Sequence, residues 1–147
     1  MLLRRVALTA VALVPALLAA PAVSAAPLPL PQLENGGDHL TVSVSDAGRL
    51  NGRYELYCHP DGGTHHRPKE ACAQLDKQAR WGKDLFAPVA KTQMCTDIYG
   101  GPQRAHISGR WAGKPVDADF SRTNGCEMAR WNKFSELLGN PEVSDED

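Results

Sequence analysis

Four cysteines and the segment that precedes them constrain this chain more than any other feature. The cysteines are Cys58, Cys72, Cys95 and Cys126. An even number of cysteines in a short secreted chain usually forms disulfides, although four cysteines allow three different pairings. A zinc site is the alternative, but the sequence has none of the C-x-x-C pairs that such sites commonly use. We therefore predict two disulfides in a small domain.

The N-terminus predicts a secretory signal peptide. Arg4 and Arg5 supply the positive charge, and residues 6–18 form an apolar run. The compact residues of Val23-Ser24-Ala25 predict cleavage after Ala25. The run is shorter than the ~20 residues that a membrane span needs. We expect a secreted, extracellular protein that is not embedded in a membrane.

The remaining chain divides by composition into three parts. A proline-rich segment over residues 26–38 predicts a flexible N-terminal arm, because proline blocks both helix and sheet hydrogen bonding. Residues 39–140 have the periodic apolar pattern of one folded domain. Residues 141–147 end in a run of acidic side chains, which predicts a disordered tail.

The charge and the missing motifs exclude several classes of function. The formal charge of the whole chain is −1, and it becomes −3 when Arg4 and Arg5 are removed. No basic stripe exists for binding nucleic acid. The sequence contains no G-x-S-x-G, H-E-x-x-H or S-x-x-K motif. A pair of glycosidase carboxylates cannot be singled out among the acids. We expect no enzyme, no cofactor and no nucleic-acid partner.

Apolar periodicity predicts strands separated by turn residues. Residues with apolar side chains alternate with polar ones at positions 40–44, 54–58 and 116–120, the period of a half-buried strand. Residues 106–111 are a fourth candidate strand.

Two segments have helical spacing instead. Pro68 suits the first turn of a helix, and this helix is predicted to run to about Arg80. Met128, Trp131, Phe134 and Leu138 predict a second helix. The fold class that follows is α+β: an antiparallel sheet of about five strands with two helices packed on one side.

Three histidines in one short segment are candidate metal ligands. His59, His65 and His66 cluster around Asp61, and such residues could bind a transition metal. The alternative is a solvated turn within the loop between the first two cysteines. The Pro60 and glycine backbone of this segment does not preset a tetrahedral site, so we predict no metal site.

Several short motifs resemble one known family. The segment Met94-Cys95-Thr96-Asp97-Ile98-Tyr99 and the later Asn124-Gly125-Cys126-Glu127-Met128 are similar to the reactive-site region of the Streptomyces subtilisin inhibitor family. Further matches, in the same order along the chain, are Gly63-Thr64-His65, Ala71-Cys72-Ala73-Gln74-Leu75 and Gly109-Arg110-Trp111-Ala112-Gly113-Lys114. These proteins are small secreted inhibitors of serine proteases.

The resemblance implies a fold, a pairing of cysteines and a site. It implies disulfides Cys58–Cys72 and Cys95–Cys126, an α+β fold and a homodimer formed through the sheet. The bond between Asp97 and Ile98 would be the reactive bond of a standard-mechanism inhibitor, with Asp97 in the specificity position. The binding loop would include Met94, Cys95, Thr96 and Tyr99, and Asn124 would support it by hydrogen-bonding loop carbonyls. The partner would be an extracellular serine protease.

Two departures from the family bear on function. Gly100-Gly101-Pro102 predicts a softer exit from the loop than the family usually has. Asp97 is an unusual specificity residue, because an unpaired carboxylate in an apolar pocket is costly. The target could therefore be a protease that cleaves after acidic residues, or a broad subtilisin-like enzyme that is inhibited weakly. An extracellular binding module or a metalloprotease inhibitor on the same fold is the alternative function.

Overall fold

The computed structural model of this chain describes residues 37–141. The predicted signal peptide, nearly all of the predicted arm and the acidic residues of the tail lie outside that range. The first strand includes Asp38, the last residue that the sequence assigned to the arm. The elements are β1 (Asp38–Ser45), β2 (Gly52–Cys58), β3 (Gly62–Gly63), α1 (Pro68–Gln78), β4 (Arg104–Trp111), β5 (Lys114–Ser121), α2 (Gly125–Asn132) and α3 (Ser135–Leu138).

The strands form one five-stranded antiparallel sheet in the order β3-β2-β1-β4-β5. Strand β1 lies at the centre, where Leu40 is opposite Leu56 on one side and Gly109 on the other. Strand β3 has two residues and was not expected from the sequence. The predicted fold class, an α+β domain with an antiparallel sheet, helices and two disulfides, is confirmed.

Alternation along the strands separates a buried face of the sheet from a polar one. Leu40, Val42, Leu56 and Ile107 are fully or almost fully buried and form the centre of the core. Helix α1 packs against β2 and helix α2 packs against β5. The helices therefore lie on the apolar face. None of the helices in the described part of the chain is long and apolar enough to span a membrane.

Helix α1 is joined to the sheet by the first disulfide. Its N-terminus has Pro68 in the first turn, where the missing backbone N–H is not needed. The Cys58–Cys72 bond connects the end of β2 to this helix. The helix ends at Gln78, slightly before the predicted Arg80.

The predicted C-terminal helix is broken in two, which corrects the sequence-based expectation of one continuous helix. The backbone N–H of Phe134 donates to the carbonyl of Trp131 at 2.8 Å. This bond spans three residues rather than four, so it tightens the last turn of α2 and redirects the chain. The Trp131 indole then donates to the carbonyl of Gly139 at 3.0 Å, which keeps α3 folded back on the core.

Candidate functional site

The site lies in a long connection between α1 and β4. Residues 79–103 contain no helix or strand. A connection of this length inside a compact domain often has a functional role. Large apolar side chains project from its second half: Met94 is 96% exposed, Ile98 is 59% exposed and Tyr99 is 65% exposed. Grouped apolar exposure of this kind is typical of a surface that binds a partner.

The second disulfide fixes the N-terminal side of this exposed loop. Cys95 is bonded to Cys126, with the two Cα atoms 5.3 Å apart. The structure thus has the cysteine pairing that the family resemblance implies. One residue further along, the carbonyl of Thr96 accepts a hydrogen bond of 3.0 Å from the backbone N–H of Gly125. The chain immediately before Asp97 is therefore held both covalently and by its backbone.

The hydrogen bond from Gly125 depends on where α2 begins. Asn124 is the N-cap residue, and its side-chain oxygen accepts from the backbone N–H of Glu127 at 3.0 Å. The first N–H groups of a helix have no partner within the helix. The N–H of Gly125 is one of these groups, so it is available to the carbonyl of Thr96.

This arrangement gives Asn124 a different contact from the one that the resemblance implies. Its side chain bonds to the helix, and the loop carbonyl of Thr96 accepts from Gly125 instead. Glycine at position 125 also leaves room for the Thr96 side chain. A Cβ atom there would lie 2.1 Å from the Thr96 hydroxyl oxygen, far inside van der Waals contact. Asn124 therefore acts on the loop through the start of α2.

The C-terminal side of the loop is held at Gly100. Its N–H donates to the carbonyl of Arg122 at 2.8 Å, and its own carbonyl accepts from Nε of Arg122 at 3.2 Å. A Cβ at Gly100 would lie 2.6 Å from the Met128 side chain, so the backbone also packs closely here. The softer exit that Gly100 and Gly101 suggested is thus offset by contacts to Arg122 and Met128.

Three residues, Asp97 to Tyr99, lie between these two fixed points. Their side chains are exposed, and this stretch of backbone adopts no helix or strand. A segment fixed at both ends loses little conformational entropy when it enters the cleft of a partner. The geometry suits a segment that is presented to another protein.

Two buried arginines support the connection between α1 and β4, and neither was identified from the sequence. Arg122 is 0% exposed, and besides Gly100 it donates from Nη1 to the side-chain oxygen of Asn132 at 3.1 Å. Arginine is rarely fully buried unless it is paired. No periodicity distinguishes Arg122 from a surface cation, since its role depends on the path of a distant loop.

Arg130 fixes the first half of the same connection. Its guanidinium donates to the carbonyls of Phe86 at 2.8 Å, Ala87 at 2.9 Å and Asp119 at 2.6 Å. It also lies 3.8 Å from the centre of the Phe120 ring. Burial lowers the pKa of Arg130, but an arginine stays protonated in proteins. The charge is therefore matched by carbonyl oxygens that tie the connection to β5, and by the Glu127 carboxylate 3.6 Å away.

Of the candidate metal-binding histidines, His65 and His66 stack with ring centres 4.5 Å apart, whereas His59 has separate partners. His59 lies 3.0 Å from both Asp38 and Asp76, and the hydrogen bond to Asp76 is the main reason that the pKa of His59 is raised. His65 is buried, with Nε2 2.9 Å from the carbonyl of Leu137. Burial lowers the pKa of His65, which favours a neutral ring that donates to this carbonyl. These contacts direct the two rings to different parts of the fold.

Comparisons with known proteins agree with the motifs. The family model described as subtilisin inhibitor-like matches residues 38–124. Subtilisin inhibitor-like protein 1 of Streptomyces cacaoi is 33% identical over 76 residues, which are 51% of this chain and 68% of that protein. Among solved structures, one is titled the crystal structure of Streptomyces caespitosus sermetstatin in complex with Bacillus licheniformis subtilisin. It is 21% identical and covers 74% of this chain and 97% of that chain, with a TM-score of 0.38. A TM-score of this size supports no structural conclusion.

Proposed function

The chain belongs to the subtilisin inhibitor-like family, and we propose that it is a secreted inhibitor of serine proteases. It would act as a substrate that the protease binds tightly and cleaves slowly. The observation that carries this proposal is the exposed segment from Asp97 to Tyr99, held on one side by the Cys95–Cys126 disulfide and on the other by Arg122. The protein itself would not be an enzyme.

The Asp97–Ile98 bond is the proposed reactive bond. It lies one residue after the Thr96 carbonyl, which is fixed to Gly125, and two residues before Gly100. Both neighbours of Asp97 are β-branched, which restricts their rotamers and stiffens the loop. Met94, Cys95, Thr96 and Tyr99 would contact the protease on either side of the bond. A preordered loop pays less conformational entropy on binding than a flexible substrate does.

Asp97 would select the target through the charge of its specificity pocket. An ionised carboxylate placed unpaired in an apolar pocket costs several kcal/mol. At about 1.4 kcal/mol per tenfold change, that cost weakens binding by roughly a hundredfold or more. A pocket that contains Arg, Lys or His would instead pair with Asp97. We propose a protease that cleaves after acidic residues as the preferred target, with subtilisin-like enzymes inhibited more weakly.

A panel of purified proteases tests this function. Inhibition would be measured for a subtilisin, a trypsin-like enzyme, a glutamyl endopeptidase and a secreted bacterial metalloprotease. Wild-type protein should inhibit the glutamyl endopeptidase best, and Asp97→Met should shift the preference to the subtilisin. Asp97→Asn is the matched control, because it keeps the size of the side chain and removes its charge. Unchanged preference in both variants would contradict the role of Asp97, and inhibition of the metalloprotease alone would contradict the serine-protease function.

Secretion is a second part of the proposal. It rests on the charged and apolar segments at the N-terminus and on the presence of two disulfides, which persist in oxidising compartments. We propose cleavage after Ala25, which would leave an arm over residues 26–38 ahead of the inhibitor domain. N-terminal sequencing of the exported protein would test this site, and a start elsewhere than Ala26 would contradict it.

Homodimerisation through the sheet is a further part. Within residues 37–141, the polar face of the sheet carries no helix, and Tyr57 is half exposed there, stacked on His39 with ring centres 4.3 Å apart. A second copy of the chain could cover this face. Sedimentation of wild type against Tyr57→Glu would test the arrangement. A wild-type protein that sediments as a monomer at micromolar concentration would contradict it.

A further inference from the structure

The buried side chain of Arg122 is the unexpected part of the site. It bridges Gly100, in the exposed loop, and Asn132, on helix α2. A fully buried guanidinium is expensive unless its donors are satisfied. Because Arg122 lies next to the exit of the loop, its burial points to a role in holding the loop.

The two sides of the proposed reactive bond are held by different kinds of contact. On the Asp97 side, the chain is attached covalently to α2 through Cys95. On the Ile98 side, the first hydrogen bonds to the rest of the described domain are the two between Gly100 and Arg122. Beyond them comes Gly101, with a φ of 123° that suits glycine, and the chain then enters β4 at Arg104. Without the contacts to Arg122, the Ile98 side would be a glycine-containing tether.

We propose that Arg122 is a positioning residue that keeps the amine of Ile98 in place after cleavage, so that the bond is remade. This inference rests on the proposed function. Attack by the protease serine on the Asp97 carbonyl would break the bond to the Ile98 nitrogen. An acyl-enzyme and a free amine would result, with the serine proton passing to the amine. In the reverse step the amine attacks the acyl-enzyme, the bond re-forms and the serine regains its proton. Water is consumed only if the acyl-enzyme is hydrolysed instead.

The size of the effect follows from the length of the free tether. With Gly100 fixed, Ile98 and Tyr99 alone separate the amine from an anchor. Without it, residues 98–103 are free as far as β4. The tether becomes roughly three times longer, and effective concentration falls as about the −3/2 power of length, so religation should fall by up to about fivefold. In every variant the N–H of Gly100 can still donate to the backbone carbonyl of residue 122, so the roughly fivefold decrease in religation is an upper value.

Three variants separate this role from general stability. Arg122→Met removes the donor to Gly100, and Asn132→Ala, at an exposed position, removes one hydrogen-bond partner of the guanidinium while Arg122 stays in place. Arg130→Met is the matched control, since it removes another buried arginine whose acceptors are the carbonyls of Phe86, Ala87 and Asp119. Arg122→Lys should give values between those of wild type and Arg122→Met, because one ammonium group cannot reproduce the several donors of a guanidinium.

The first readout is hydrogen exchange in the free protein, which needs no protease. The amide of Gly100 should exchange faster in Arg122→Met and in Asn132→Ala, and at the wild-type rate in Arg130→Met. Unchanged exchange at Gly100 in a folded Arg122→Met variant would overturn the proposal whatever the protein inhibits. Asn132→Ala decides the question in the same way if Arg122→Met does not fold.

The second readout is the ratio of cleaved to intact inhibitor. Catalytic amounts of a subtilisin or of a glutamyl endopeptidase would be added to each variant, and the ratio measured at equilibrium by mass spectrometry. The ratio should rise by up to about fivefold in Arg122→Met, by less in Asn132→Ala, and not in Arg130→Met. An equal rise in Arg130→Met would overturn the role of Arg122. If wild type is neither cut by nor inhibits either protease, the proposed function and the religation step both fail. The hydrogen-exchange result still shows whether Arg122 holds Gly100 in place.

Discussion

Removing the Cys95–Cys126 disulfide should weaken inhibition far more than removing the Cys58–Cys72 disulfide, although both losses should lower the unfolding free energy by similar amounts. The Cys95→Ala, Cys126→Ala double variant opens a loop with a sequence separation of 31, and the Cys58→Ala, Cys72→Ala variant opens one of 14. In the chain-entropy model these losses are about 3.7 and about 3.0 kcal/mol of unfolding free energy. The second variant also loses buried sulfur atoms. The two variants should therefore be comparably destabilised.

Their effects on inhibition should differ greatly. Without the Cys95–Cys126 bond, residues 94–97 would have to become ordered when the protease binds. At about 1 kcal/mol for each residue, the cost is ~4 kcal/mol, or about a thousandfold in affinity. The remaining hydrogen bond between Thr96 and Gly125 makes this an upper value. The Cys58–Cys72 bond joins β2 to α1 and is not part of the loop, so affinity should change little when it is lost.

Urea denaturation gives the stabilities, and inhibition constants against the most sensitive protease give the affinities. Assays should be run at a temperature where both double variants are fully folded, as judged by circular dichroism. The reasoning is refuted if the Cys95→Ala, Cys126→Ala protein inhibits as well as wild type. It is also refuted if both folded double variants lose the same affinity.

Three further predictions concern residues around the loop and the histidines. Asn124→Ala should lower the unfolding free energy by ~1 kcal/mol through the lost helix cap, whereas Asn124→Asp, which retains the capping oxygen, should not. Asp76 raises the pKa of His59, so this ion pair stabilises the fold while the histidine is protonated and is lost once the pH exceeds the folded pKa. Asp76→Asn should therefore lower the unfolding free energy more at pH 5 than at pH 8. The pKa of His65 is lowered by burial, so its contribution is present above its unfolded pKa of ~6.5 and is lost as the pH falls. His65→Gln should lose less stability than wild type between pH 7.5 and pH 5 in urea titrations, and an equal loss would contradict the buried neutral ring.

Local patterns predicted most of the fold. Alternating apolar residues gave β1, β2 and β5 because one face of each strand is buried against helices. The C-terminal apolar spacing predicted one helical face, and Trp131 and Phe134 on that face are buried in the core. It could not reveal the break between α2 and α3, because a three-residue hydrogen bond preserves the same buried positions.

The site was less accessible to sequence reasoning. The motif around Cys95 directed attention to the loop, but the contacts that hold it come from residues that are distant in sequence. The N–H of Gly125 is available only because α2 begins directly after its N-cap Asn124, and Arg122 is buried only because the loop passes over it. The glycines at 100 and 101 suggested flexibility in isolation. The restraint on Gly100 depends on tertiary contacts to Arg122 and Met128 that no local pattern encodes.

The position of the cut tests the central claim most directly. The protein would be incubated with catalytic amounts of each protease that it inhibits, and its mass measured before and after reduction of the disulfides. A bond cleaved between Asp97 and Ile98 adds one water to the unreduced protein, which stays whole because Cys95 is bonded to Cys126. After reduction, the C-terminal fragment should begin at Ile98. Inhibition with the cut at any other bond, or with no cut at all, would contradict the account of this loop.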